Sequence, residues 1–188
     1  MKKILIILVF LLGKNAYSQT NTIDLYEGSS MNSPAGTYIK DINNVFAPYL
    51  GTWKYQNGNN ILTIKLEKVT KFYSMKFKTY HDFIKGNYSY STDGGNTYLI
   101  NTIQTNTNNN TPEGNSIYSC DPNTTWIENF ILKDVLFNKS CFASIRFVPN
   151  SLNQLELKLK DIKNITIEGD APVIDGFSIP NNIVLIKQ

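Results

Sequence analysis

Thr52-Trp53-Lys54-Tyr55-Gln56-Asn57-Gly58-Asn59-Asn60-Ile61-Leu62-Thr63-Ile64-Lys65-Leu66-Glu67 reads as two strands and the turn between them. Leu62, Ile64 and Leu66 alternate with Thr63, Lys65 and Glu67. That period of two makes one face apolar and the other polar, as in a half-buried strand. Asn57-Gly58 supplies the positive φ angles that a tight hairpin needs. The predicted strands are Thr52 to Gln56 and Asn60 to Val69.

The same signal continues in both directions. Downstream, strands are predicted at Phe72 to Thr79 and Phe83 to Ser91, then a second hairpin turn, Asp93-Gly94-Gly95-Asn96, into Thr97 to Ile103. Gln104 to Gly114 is polar, rich in Asn and Thr, and reads as a loop. Strands resume at Phe130 to Asn138 and Cys141 to Val148, and Pro149-Asn150-Ser151 turns the chain into Leu152 to Lys160. There Leu155, Leu157 and Leu159 alternate with Glu156, Lys158 and Lys160. Ile165 to Glu168 and Asn182 to Lys187 complete the set. Upstream, residues 19–48 read as a loose polar lead, with a short helical turn in Asp41 to Tyr49 that breaks at Pro48.

No amphipathic helix interrupts about eight to ten strands, so the class is all-β. Neighbours joined by short turns pair antiparallel. A domain over residues 49–188 then closes into an up-and-down barrel or folds into a sandwich. An outer-membrane barrel would carry its apolar residues outside, whereas the Lys- and Glu-bearing faces here read as solvated.

Composition agrees. The 188 residues make one domain, or two at most, and 41% are hydrophobic, 12% aromatic and 18% charged. That apolar content excludes wholesale disorder.

Residues 1–18 read as a signal peptide, with Lys2 and Lys3, an apolar run from Ile4 to Leu12, and Ala16-Tyr17-Ser18 as the small-x-small cleavage signal. The run is too short to cross about 30 Å of hydrocarbon as a helix. Cleavage after Ser18 leaves Gln19 first and predicts a periplasmic or secreted bacterial protein. It also removes Lys2, Lys3 and Lys14 and no acid, so the net charge of +3 falls to zero. A neutral domain whose single Arg is Arg146 lacks the footprint of a nucleic-acid binder or of a polybasic membrane patch. Neither nucleic acid nor stable membrane insertion is expected. In an oxidising compartment Cys120 and Cys141 are expected to form a disulfide, worth about 3 kcal/mol by loop entropy.

Catalytic chemistry is hard to find. His81 is the only His, lies beside Asp82, and is predicted at a junction between strands. No Gly-x-Ser-x-Gly elbow is present. Cys120, Cys141 and His81 lack zinc spacing. Asp121-Pro122-Asn123-Thr124-Thr125 offers oxygen ligands, but Trp126 and Leu132 stand where a calcium loop needs Gly and Glu. Glu67, Asp82, Asp93, Glu113, Glu128 and Asp134 are acids that nothing in the sequence pairs. The expectation is no catalytic residue, no metal, no cofactor and no enzyme.

Tyr49-Leu50-Gly51-Thr52-Trp53 resembles the opening of a lipocalin-type barrel. The resemblance implies an antiparallel barrel in which Gly51 and Trp53 lie on the first strand, Trp53 plugs the closed end, and a basic side chain from a late strand packs over it; Arg146 is the candidate. Three further stretches resemble a family of uncharacterised exported proteins from Bacteroidota, the DUF6705 type. They are Asp41-Ile42-Asn43-Asn44-Val45-Phe46 leading into Leu50 to Tyr55, Ile84-Lys85-Gly86-Asn87-Tyr88-Ser89-Tyr90, and the closing Ile179 to Gln188. That resemblance implies origin and export and assigns no activity.

Two functions follow as expectations. In one, a lipocalin-like barrel carries a small apolar ligand lined by Leu62, Ile64, Leu66, Tyr88, Tyr90, Leu155, Leu157 and Leu159, with Tyr73, Met75 and Phe77 sharing a further face. In the other, the barrel is filled and the exposed loops bind a protein or glycan.

Overall fold

The predicted hairpin forms, but one residue later than Asn57-Gly58. In the computed structural model Asn57 is the last residue of the first strand, opposite Asn60, and Gly58 alone supplies a positive φ, of +56°. The structure describes residues 20–29, 31–105, 117–119, 126–162 and 174–188. The predicted signal segment, its Ser18–Gln19 cleavage point, the Asp121–Thr125 segment and the Ile165–Glu168 strand lie outside them.

Strands β1 (Thr22–Asp24) and β2 (Tyr38–Lys40) precede a 3-10 turn, Ala47–Tyr49. The hairpin strands are β3 (Gly51–Asn57) and β4 (Asn60–Ser74), and β4 turns at residues 75–78 into β5 (Thr79–Ser91). Then come β6 (Ile100–Asn101), a helical turn (Thr102–Thr105), β7 (Ile117–Ser119), β8 (Trp126–Asp134), β9 (Lys139–Phe147), β10 (Gln154–Asp161) and β11 (Ile183–Lys187).

Several boundaries differ from expectation for identifiable reasons. The chain does not turn near Thr70-Lys71. It bulges there, the register skipping between Val69 and Phe72, and β4 continues to Ser74. Met75 and Phe77 therefore lie in a turn and not on a strand face. His81, predicted at a strand junction, lies with Asp82 inside β5, where the bulge amide of Lys71 donates to Asp82 Oδ1 at 3.0 Å and ties the irregular stretch of β4 to the strand. The β8–β9 turn comes earlier than predicted. Asp134 is fully buried, and both its carboxylate oxygens accept bonds from Ser178.

The sheet is all-β but mixed. β1–β2 and β2–β5 are parallel, so the predicted lead is no loose segment. It adds two strands to the sheet. The other ladders are antiparallel, in the order β5-β4-β3-β11-β10-β9-β8-β7. β7 also meets β5, over three residue pairs against twelve for β4–β5. The single, purely antiparallel, evenly closed wall of a lipocalin-like barrel is thus not what the sheet displays. Where β10 and β11 part, Asn181 extends their ladder with its side-chain amide, which accepts from the Leu159 N–H at 2.7 Å and donates to its carbonyl at 3.1 Å.

The core is the inward row of each strand. Register puts Leu62 opposite Tyr90 and Ile64 opposite Tyr88 on one side. On the other, Leu155 pairs with Phe147 and Leu185, and Leu157 with Ile145 and Ile183. These side chains form one buried cluster with Phe46, Tyr49 and Trp53.

Candidate functional site

The eight residues expected to line a ligand cavity are brought together on one apolar face. Leu62, Ile64, Leu66, Tyr88, Tyr90, Leu155, Leu157 and Leu159 are all buried in the same apolar cluster. Of the two tyrosines among the eight, Tyr88 has its hydroxyl engaged: it donates to the Lys133 carbonyl at 3.0 Å and accepts from the Val135 N–H at 3.1 Å. Burial, the leading cause, holds that phenol well above its usual pKa.

Trp53 of the Gly-x-Trp stretch belongs to the same cluster. Trp53 is fully buried and donates its indole N–H to the Tyr49 carbonyl at 2.7 Å, and Phe147 packs on both rings at centroid distances of 4.8 Å to Tyr49 and 6.3 Å to Trp53. Gly51 has a φ of +117°, which a side chain would strain. The basic cover is not Arg146. Arg146 is exposed on the outer face of β9, 5.3 Å from the Trp126 ring. Lys187 takes the place, its Nζ 5.1 Å from the Trp53 ring and donating to the Pro48 carbonyl at 3.0 Å. The reason is register: Lys187 stands directly opposite Trp53 on the neighbouring strand.

The other chemical candidates are structural. Cys141 is a free, buried thiol donating to the Leu132 carbonyl at 3.3 Å, and burial pushes its pKa up to about 12, with Asp134 adding to the effect. Among the described residues the expected disulfide is not seen. Cys120 itself is outside the described residues. His81 stacks on Phe72 with ring centroids 6.0 Å apart. Asp93 organises its own turn, and hydrogen bonds from Thr97 and Ser91 lower its pKa to about 2. Glu67 is surface-exposed beside Lys65. Among the described residues no cluster of three metal-ligating side chains occurs, and no helix is long and apolar enough to cross a membrane.

The arrangement that sequence reasoning missed is where β2, β5 and the bulge of β4 meet. Asp41 and Asp82, both buried, converge on Lys68, whose Nζ is 2.7 Å from Asp41 Oδ2 and 3.4 Å from Asp82 Oδ2. The remaining carboxylate capacity is filled by the Tyr38 hydroxyl at 2.6 Å and by the backbone N–H groups of Asp41, Val45 and Lys71. This hub pins the bulge, and the bulge holds Lys71 at a φ of +53°. A bulge re-aims the side chain it carries. Here it places the Lys71 ammonium 5.8 Å from the Tyr38 ring and 5.6 Å from the Tyr80 ring.

The rings form a row. Tyr73 on β4 is opposite Tyr80 on β5, and Tyr80 is opposite Tyr38 on β2. Tyr73 and Tyr80 have ring centroids 5.0 Å apart and Tyr73 is 44% exposed. Beyond them the turn carries exposed Lys76 and Lys78 and the half-buried Phe77, with Lys76 Nζ 5.3 Å from the Phe77 ring. The usable signal was present: from Lys68 to Tyr80 there are four lysines, four aromatics and no acid.

No curated protein and no solved structure matches the chain. The model of a family of unknown function (DUF6705) matches residues 1–188, and the chain belongs to that family.

Proposed function

We propose that the protein is an exported, non-catalytic recognition module whose interior is filled and whose work is done at the surface, by the Tyr38–Tyr80–Tyr73 platform. The observation that carries this is the single buried cluster holding all eight cavity candidates. These residues form the inward row of the ladder β5-β4-β3-β11-β10-β9-β8-β7, where each strand's apolar side is covered by its neighbours'. Export is supported by the composition of residues 1–18. A protein or glycan is the expected partner.

Native mass spectrometry of the protein purified from its own host, beside the denatured mass, tests the filled interior. Apoprotein mass is the expected result. A few hundred extra daltons lost on denaturation would mean a carried apolar ligand and overturn the surface reading. N-terminal sequencing of the exported fraction should find Gln19 first.

A further inference from the structure

We infer that the tyrosine platform binds an acidic polysaccharide, with the rings stacking on sugar faces and Lys71, Lys76 and Lys78 meeting its carboxylates. This rests on the reading above that the surface and not the interior is the site. The first support is shape. Three rings in register on adjacent strands make a row about 10 Å long at normal strand spacing. Such a row suits several ring-shaped units of an extended polymer better than one small molecule. The Tyr73 and Tyr80 hydroxyls have no protein hydrogen-bond partner among the described residues, so they are available to ligand hydroxyls.

The second support is charge. Among the described residues no acid lies within ion-pair distance of Lys71, Lys76 or Lys78. The nearest acid in sequence, Asp82, is buried and already holds Lys68, Tyr38 and two backbone amides. Three uncompensated ammonium groups on a chain that is neutral once residues 1–18 leave make a local field for an anion. The third support is construction: the bulge that holds Lys71 sets a cation over two of the three rings.

Other polyanions fit less well. A single-stranded nucleic-acid groove also uses stacked aromatics and cations, but the chain's only Arg is on β9, against Trp126. An anionic membrane would need an apolar wedge, and the turn offers Met75 alone, since Phe77 is half-buried under Lys76.

The test is affinity electrophoresis of the full chain through gels containing alginate, polygalacturonate or hyaluronan, with fully methyl-esterified polygalacturonate as the neutral control. Binding is then measured by titration calorimetry at two salt concentrations. We expect retardation by at least one uronate polymer, little by the ester, and weakening with salt. Tyr73→Ala and Lys71→Gln should each weaken binding about tenfold with the circular dichroism unchanged, the scale of one lost stacking or charged contact. Equal binding of the ester, or retention on anionic phospholipid vesicles without uronate binding, would overturn the ligand class and leave the surface reading standing. Uronate binding unaffected by either variant would overturn the site. No retardation by any polymer would overturn the inference, and the native mass then tells separately whether the filled interior holds.

Discussion

Lys187 and Arg146 show what one residue's register decides. Both are cations within cation–π distance of a Trp, but Lys187 bridges a buried indole and a backbone carbonyl, while Arg146 lies on the exposed face of β9. Lys187→Ala should therefore destabilise by about 1–3 kcal/mol, and Arg146→Ala by no more than about 1 kcal/mol. Urea midpoints of the two variants check the order, and the reverse order would restore Arg146 as the cover. The sequence could pick out the Trp but not choose the cation, because the choice depends on which strand pairs with β3. His81 carries a second residue-scale consequence. Burial lowers its pKa below the usual 6.5, partly offset by Asp82. Between the lowered value and 6.5 the unfolded chain binds more protons than the folded one, so the folded state gains as pH rises. The contribution is whole above pH 6.5 and is lost as pH falls from there toward the folded-state pKa. Thermal melts from pH 7.5 to 5.5 should show this decline, and His81→Gln should remove it from that window.

At the scale of elements, the β4–β5 pair is where sequence patterning was least reliable. Alternation from Leu62 to Leu66 fixed the strand and its inward face because each position follows the period of two. The period breaks at Thr70-Lys71, and a broken period looks alike whether the chain turns or bulges. What selects the bulge is a non-local carboxylate, Asp82, held by Tyr38 from β2 and by Lys68. Lys68 is the one cation for two buried acids, so Lys68→Met should cost about 3–5 kcal/mol, as when one partner of a buried pair is removed. The exposed Lys65, paired with Glu67, should cost at most about 1 kcal/mol when changed the same way. Amide exchange gives the finer readout: in Lys68→Met, β1 and β2 should lose protection before β3 and β11. Uniform loss of protection would show that the hub does not join the lead to the sheet.

At the scale of the whole molecule, the all-β class was legible because nearly every strand advertises one apolar face. The parallel lead was not. β1 and β2 are three residues each, too short for periodicity; β2 is held by pairing with β5 and by the Tyr38 bond to Asp82, and β1 by pairing with β2. Whether an apolar inner face encloses space is also not a property of alternation, since Leu157 reads the same lining a cavity or filling a core. Its stability cost separates the two. In a filled interior Leu157, fully buried between Ile145 and Ile183, loses both transfer energy and packing when truncated. Leu157→Ala should then cost about 2–5 kcal/mol. Lining an open cavity, the same side chain would already lack partners on one side, and its removal would cost about 1 kcal/mol or less, with ligand affinity suffering instead. Urea unfolding of Leu157→Ala, beside Leu62→Ala from the opposite half of the sheet, therefore measures the interior directly. Large costs at both positions follow from a filled module that works at its surface, and small costs at both would return the function to the interior.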